Sequence, residues 1–255
     1  MTKPLALVTG ASAGIGREIA RLHAARGGDL IVTARRADAL EALAVELKDA
    51  HGTETRVVAQ DLGAAGGARA LIDAAGGRIP DYLVNNAGFG GTGAFTDRDL
   101  DRDLAMIDLN VTRLVELCHH YGRAMKARGS GRILNVGSTA GFVPGPFQAT
   151  YYATKAFVNS FSQALDEELR EHGVTVTVLA PGYVETEFAD VAQMRHTDLV
   201  KAGGATAESV AEVGYDAMLR GDLVAINDRR LAAMLRTIGL APRRQVLKMI
   251  RKRQQ

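Results

Sequence analysis

A single cysteine, Cys118, occurs in the chain, so no internal disulfide can form. The fold must hold by packing and hydrogen bonding. The scarcity points to a reducing compartment, and a cytoplasmic location is the expectation. Long hydrophobic runs are missing as well. The opening stretch MTKPLALVTGAS has only a short apolar run before polar residues and glycine. Neither a signal peptide nor a membrane span is therefore expected. Internal repeats, low-complexity tracts and linkers are absent, which argues against a string of modules. No cluster suited to a metal is apparent, and no nucleic-acid partner is expected.

What is present is an ordinary globular balance, 47% hydrophobic and 24% charged over 255 residues. That length can bury a sizeable core in one domain. One local absence stands out. Residues 229–255 hold nine of the 31 basic residues and none of the 29 acidic ones, leaving an acidic body and a strongly basic tail. We divide the chain accordingly into residues 1–228, the main domain, and residues 229–255, a basic amphipathic helical extension.

Along the main domain, apolar runs rich in β-branched residues alternate with amphipathic stretches. Strands are expected at 5–10, 29–34, 55–61, 81–88, 131–138, 174–182 and 222–227. Helices are expected at 16–27, 37–50, 65–77, 98–127, 150–172 and 206–220. Such alternation predicts an α/β fold, a doubly wound, parallel seven-stranded sheet with helices on both faces. Ligands bind these sheets beyond the carboxyl ends of the strands.

The first strand runs into TGASAGIG, with glycines at Gly10, Gly14 and Gly16 and with Ser12 and Ile15 between them. Glycine lets the backbone turn tightly and approach a pyrophosphate, while the following helix presents its positive N-terminal end to the anion. The spacing differs from G-x-G-x-x-G, so the motif alone could be a turn with no ligand. At the end of the second strand, where a carboxylate would hold the ribose hydroxyl of NAD, the sequence has Arg35 and Arg36. No negative charge repels a 2′-phosphate there, and two guanidinium groups attract one. A charge-assisted hydrogen bond of roughly 1.5–3 kcal/mol makes NADP(H) preferred by about 10- to 100-fold, with NAD(H) possible. Asp61, which ends the third strand beside Leu62, either accepts from an adenine amino group or caps the next helix.

The stretch YYATK sets two tyrosines before Lys155. Tyr151 lies four residues ahead and Tyr152 three, so both are eligible to share its helix face. A nearby ammonium favours phenolate, which makes a tyrosine a usable general acid for a carbonyl oxygen receiving hydride. By itself the pair is weak evidence.

Taken in order, TGASAGIG, NNAG (85–88), NVGS (135–138), YYATK and PGYVET (181–186) resemble the short-chain dehydrogenase/reductase family, over the chain to about residue 190. The resemblance implies a single Rossmann-like domain and a nicotinamide-dependent interconversion of a carbonyl and a secondary alcohol. It pairs Ser138 with a tyrosine thirteen residues later, which selects Tyr151 and leaves Tyr152 to packing. On the same resemblance, Tyr151 is the general acid/base and Ser138 holds the carbonyl. Lys155 tunes Tyr151 and binds the nicotinamide ribose, and Asn110 holds a water beneath the lysine for proton relay. Asn86, Ala87 and Gly88 line the cofactor. Pro181, Gly182, Val184 and Thr186 follow the sixth strand, Thr186 at the nicotinamide amide. Read without the resemblance, Asn110 is a polar helix residue and Thr186 an N-cap.

Two departures are visible. Ala13 stands where many NADPH-preferring relatives carry a basic residue, so cofactor preference rests on Arg35 and Arg36. INDRR (226–230) and the basic tail replace the ending of the common tetramers. That places the chain near the long-chain ketoacyl reductases and related bacterial enzymes, with a homodimer through 98–127 and 150–172 expected over a tetramer. Phe89, Phe95, Phe142, Val143 and Phe147 are either the walls of a pocket for a lipid-like or aromatic ketone or part of the core. For the tail, docking on the body or on a second subunit is the expectation. The competing reading is contact with an anionic membrane or the phosphate of an acyl carrier. A second functional class, a non-catalytic NADP(H)-binding redox sensor, stands against the enzyme; it would have no use for a proton donor.

Overall fold

The structure is a computed structural model that describes residues 3–254; Met1, Thr2 and Gln255, at the outer ends of the two expected units, lie outside it. In chain order the elements are β1 (Leu5–Thr9), α1 (Gly14–Ala25), β2 (Asp29–Ala34), α2 (Ala37–His51), β3 (Thr55–Ala59), α3 (Gly67–Ala74) and β4 (Tyr82–Asn85). Then come α4 (Leu100–Ile107), α5 (Leu114–Arg128), β5 (Gly131–Val136), α6 (Ala149–Arg170), β6 (Val174–Leu179), β7 (Val184–Glu185), α7 (Phe188–Val191) and α8 (Asp198–Lys201). The chain closes with β8 (Ala205–Thr206), α9 (Ala207–Arg220), β9 (Val224–Ala225), α10 (Arg229–Thr237) and α11 (Arg243–Arg253).

Seven strands form one parallel sheet in the order β3-β2-β1-β4-β5-β6-β9. The two-residue period of a strand sends alternate side chains to opposite faces. In β1, Ala6 and Val8 enter the layer shared with Ile19 of α1, Leu40 of α2 and Tyr215 of α9. Leu5 and Leu7 enter the layer shared with Leu71 of α3, Leu117 of α5 and Val158 of α6. Both faces are dry, which is why these strands read as continuous apolar runs. The strand order reverses between β1 and β4, so the loops leaving their carboxyl ends splay apart and open a crevice.

Several expected boundaries change. β4 ends at Asn85 rather than at 88, because Asn86 and Ala87 turn their backbone amides toward Thr9 Oγ1, each at 3.0 Å. The expected helix at 98–127 is interrupted by a π-helical stretch, Asp108–Arg113, which contains Asn110. A parallel pair of two-residue strands, β7 and β8, was not expected; such short segments carry no alternation to read. The tail forms α10 and α11, joined by a turn around Gly239 and Pro242, and Val246 and Ile250 are buried against Tyr152.

Candidate active site

A cleft of about 910 Å³ runs along the carboxyl edge of the sheet. At one end β1 turns into the glycine loop. Gly10 and Gly14 have φ of +67° and +55°, a region that side chains strain to occupy. The loop is stitched to the end of β4: Asn86 Nδ2 donates to Thr9 O at 2.9 Å and to Gly10 O at 3.2 Å. A Cβ on Gly16 would lie 2.4 Å from Asn86 Nδ2 and 2.6 Å from Gly10 O, so Gly16 shapes the loop from behind and does not line the cleft. No acidic residue and no side-chain cap occupies the first turn of α1. Its open N–H groups and the positive end of the helix dipole remain for an anion.

Arg35 and Arg36 line the cleft beyond β2, and both are exposed. They differ in engagement. Arg36 donates to Ser12 Oγ at 3.3 Å and pairs with Glu187 Oε2 at 3.0 Å, bridging the two rims. Among the described residues no hydrogen bond or ion pair holds Arg35. Asp61 Oδ1 accepts from Gly63 N at 2.9 Å. It caps a turn rather than α3, which begins at Gly67 behind Gly66.

The other half of the site is built on α6. Lys155 is buried, and its ammonium donates to Val136 O at 2.7 Å while standing 5.9 Å from the centre of the Tyr151 ring. Burial lowers its pKa to about 8. Burial pushes the Tyr151 phenol up, and the neighbouring Ser138 hydroxyl pulls it partly back. Ser138 is itself fixed: Oγ accepts from Ala140 N at 3.1 Å and lies 3.4 Å from Pro181 O. Its backbone is clamped by Asn159, one turn beyond Lys155, whose carboxamide donates to Ser138 O at 2.9 Å. Asn159 went unrecognised in the sequence. The signal was the pair Gly137 and Gly141, where a Cβ would come within 2.1 Å and 2.5 Å of the Asn159 carboxamide.

Asn110 sits behind the cleft wall. Its Oδ1 accepts from Phe89 N at 3.1 Å, and its Nδ2 donates to Phe89 O and to Thr154 Oγ1, at 3.0 and 3.1 Å. A Cβ on Gly88 would lie 2.8 Å from Asn110 Oδ1 and 3.7 Å from Lys155 Nζ, so these three groups meet. The π-helical stretch sets Asn110 in that place, a common use of such insertions. Tyr152 also lines the cleft, packs against Val246 and Ile250, and accepts from Gln254 Nε2 at 2.7 Å. Cys118 is buried with Asn85 and Asn135, and its thiol is pushed up to about 12, which leaves no reactive thiolate.

A family model described as short chain dehydrogenase matches residues 4–196. This chain belongs to the short-chain dehydrogenase family. Sulfoacetaldehyde reductase of Chromohalobacter salexigens is 38% identical over 224 residues, covering 84% of this chain and 79% of that protein. Dehydrogenase/reductase SDR family member 7B of Bos taurus is 36% identical over 191 residues, 72% of this chain; the match spans 58% of the bovine protein's length. The short-chain dehydrogenase of Sphingobium yanoikuyae in complex with NADPH superposes with a TM-score of 0.86 at 32% identity, covering 95% of this chain and 93% of that one.

In this short-chain dehydrogenase the residues fit a nicotinamide dinucleotide. The glycine loop is a cradle that a side chain would fill, the uncapped start of α1 suits a pyrophosphate, and Arg35 suits an anion beyond the ribose. Ser12, Ile15, Leu62, Asn86, Ala87, Gly88, Pro181, Gly182, Val184 and Thr186 all line the same cleft as Ser138, Tyr151 and Lys155. Thr186 is not the N-cap read without the resemblance: Glu187 holds that position before α7, and Thr186 Oγ1 accepts from Phe188 N at 3.2 Å from one residue further back.

The apolar walls are not the ones expected. Phe89 and Val143 line the cleft, whereas Phe95, Phe142 and Phe147 do not; Phe95 is 58% exposed, and Arg251 covers the Phe147 ring at 5.2 Å. The other walls come from Phe188, Met194 and Leu199 after β7 and from Leu231, Met234, Leu235 and Ile238 of the tail. These lie far from the motifs in sequence, and only the docking of the tail shows their use. Arg98, half-buried, forms an ion pair with the buried Asp103, and Thr150 Oγ1 donates to Asp103 Oδ2 at 3.2 Å. That ties the segment leading to α4 to the first turn of α6, one residue before Tyr151.

Proposed function

We propose that this dehydrogenase interconverts a carbonyl and a secondary alcohol with NADPH as the preferred reductant and NADH as a possible one. The observation that carries this reading is the meeting of the Ser138 hydroxyl, the Tyr151 phenol and the Lys155 ammonium in the cleft that holds the glycine loop. The nicotinamide, when bound, supplies or accepts the hydride. Everything else falls to the chain. Ser138 donates to the carbonyl oxygen and orients it. Tyr151 gives its phenolic proton to that oxygen as negative charge develops there, and takes it back in the reverse direction. Lys155 offsets the resulting tyrosinate, and Asn110 carries the relay beneath it. General acid catalysis of this kind contributes roughly 10²–10⁴-fold.

Arg35 sets the preference for a 2′-phosphate, and Arg36 has a smaller part because Ser12 and Glu187 already engage it. The substrate half is apolar, which favours a ketone or aldehyde with a sizeable hydrophobic body. The enzyme acts in the cytoplasm as a homodimer joined through α4, α5 and α6. Leu100, Leu104, Ile107 and Phe157, 40–60% exposed, supply the apolar patch for that contact. NADPH consumption across aliphatic, aromatic and steroid ketones tests the function. Steady consumption with any member supports it; binding of NADPH without turnover of any member favours the redox sensor.

A further inference from the structure

The tail does two things at once. Its apolar residues roof the substrate half of the cleft, and its last turn brings a cation to that roof. Arg253 lines the cleft, and among the described residues no hydrogen bond or ion pair occupies it. The neighbouring Arg102, which also lines the cleft, already donates to Val191 O. The acidic lining residues among those described are Asp61 and Glu187, and both belong to the cofactor half, Glu187 being paired with Arg36. Among the described residues, the substrate half thus presents a positive charge with no counterion of its own.

The position of that charge is fixed. Gln254, the next residue, is buried; its Nε2 donates to Tyr152 Oη at 2.7 Å and its Oε1 accepts from Gln148 Nε2. Gln148 precedes the first residue of α6, three positions before Tyr151. Val246 and Ile250 are buried on the same tyrosine. The end of α11 is therefore latched to the first turn of the helix that carries Tyr151, and Arg253 is held at a set place relative to the reacting atoms. A guanidinium held this way suits a carboxylate, sulfonate or phosphate.

We propose that Arg253 anchors an anionic group at the end of the substrate remote from its carbonyl, with the apolar body between them lying under α10. This rests on the carbonyl-reducing reading of the site and narrows it to amphipathic oxo acids or their sulfonate and phosphate counterparts. The surrounding basic tail raises the local concentration of such anions.

The test uses a series of medium-chain oxo acids and the matching methyl esters, in which a methyl group replaces the terminal charge. Binding to the full-length protein loaded with NADP+ is measured by calorimetry, and NADPH consumption is measured on the same compounds. Wild type should favour the acids over the esters by about 10- to 100-fold in Kd and in kcat/KM, mainly through KM. Arg253→Met should bring that ratio close to one, Arg253→Lys should restore part of it, and raising the salt concentration should shrink it. Arg253 is exposed, so an unchanged melting temperature is expected of both variants. Equal use of acids and esters by wild type, or a ratio that Arg253→Met leaves intact, overturns the anchor while leaving carbonyl reduction standing. Preferential binding of the acids with no turnover of either series supports the anchor and removes the reductase reading instead.

Discussion

Lys155 donates its ammonium to Val136 O at 2.7 Å and stands 5.9 Å from the centre of the Tyr151 ring, so one buried cation is shared between the backbone of β5 and the phenol expected to move a proton. Its pH response follows from that setting. Burial lowers its pKa to about 8, so the lysine is charged below that pH and neutral above it. The charge supports a developing tyrosinate. Ketone reduction should therefore fall as pH rises through about 8. In Lys155→Met the rate should be low throughout, without that step. A pH profile of kcat/KM checks both.

Cofactor choice should depend unequally on the two arginines. Arg35→Ala should raise KM for NADPH by about 10- to 100-fold and leave NADH little changed. Arg36→Ala should have a smaller effect, because its guanidinium is divided between Ser12 and Glu187. Steady-state kinetics with both nucleotides separates these outcomes. Equal losses for both nucleotides in Arg35→Ala would point to a damaged loop rather than a lost phosphate contact.

Gly16 should tolerate no side chain. A methyl group there would press on Gly10 O and Asn86 Nδ2, and Gly10 O is backbone that cannot swing aside. Gly16→Ala is expected to cost about 1–3 kcal/mol, read from denaturant unfolding. Gly27→Ala, where a Cβ would meet nothing within 4 Å, gives a comparison in which only the positive φ matters.

Association should respond to charge on the exposed patch. Leu104→Glu is expected to shift sedimentation from dimer toward monomer, since Leu104 is 49% exposed in the single chain. Unchanged sedimentation would place the contact elsewhere.

Membrane contact through the tail should be negligible at physiological salt. No helix among the described residues is long and apolar enough to cross a bilayer. Val246 and Ile250 are committed to Tyr152, and the α10 residues Leu231 and Leu235 to the cleft. What remains outside is charge, which salt screens within about 8 Å, together with the isolated apolar side chains Leu240 and Met249. Co-sedimentation with anionic vesicles checks this; firm pelleting at that salt would mean the tail undocks.

The sequence made the sheet legible because its central strands, β1 above all, are buried on both faces and read as apolar runs, whereas the edge strand β3 is largely exposed. The glycine loop was legible from its place between a strand and a helix, while helix spacing left Tyr151 and Tyr152 both eligible and only the family resemblance singled out Ser138 and Tyr151. Gly16 was legible as part of the glycine loop, but its close packing against Asn86 and Gly10 O was not. The roof of the substrate half was hidden, because residues 231–238 and 250–254 approach Tyr152 only after two helices fold back over the cleft. Periodicity showed that they had apolar faces, but it could not say what those faces cover.

The central claim is that Tyr151 supplies the proton. The most direct measurement compares Tyr151→Phe with wild type for NADPH binding, by nucleotide fluorescence, and for turnover of a ketone that wild type consumes. We predict unchanged binding and a loss of turnover of about 10²–10⁴-fold. Turnover that survives in Tyr151→Phe with binding intact would contradict the account and send the search for the proton donor elsewhere in the cleft.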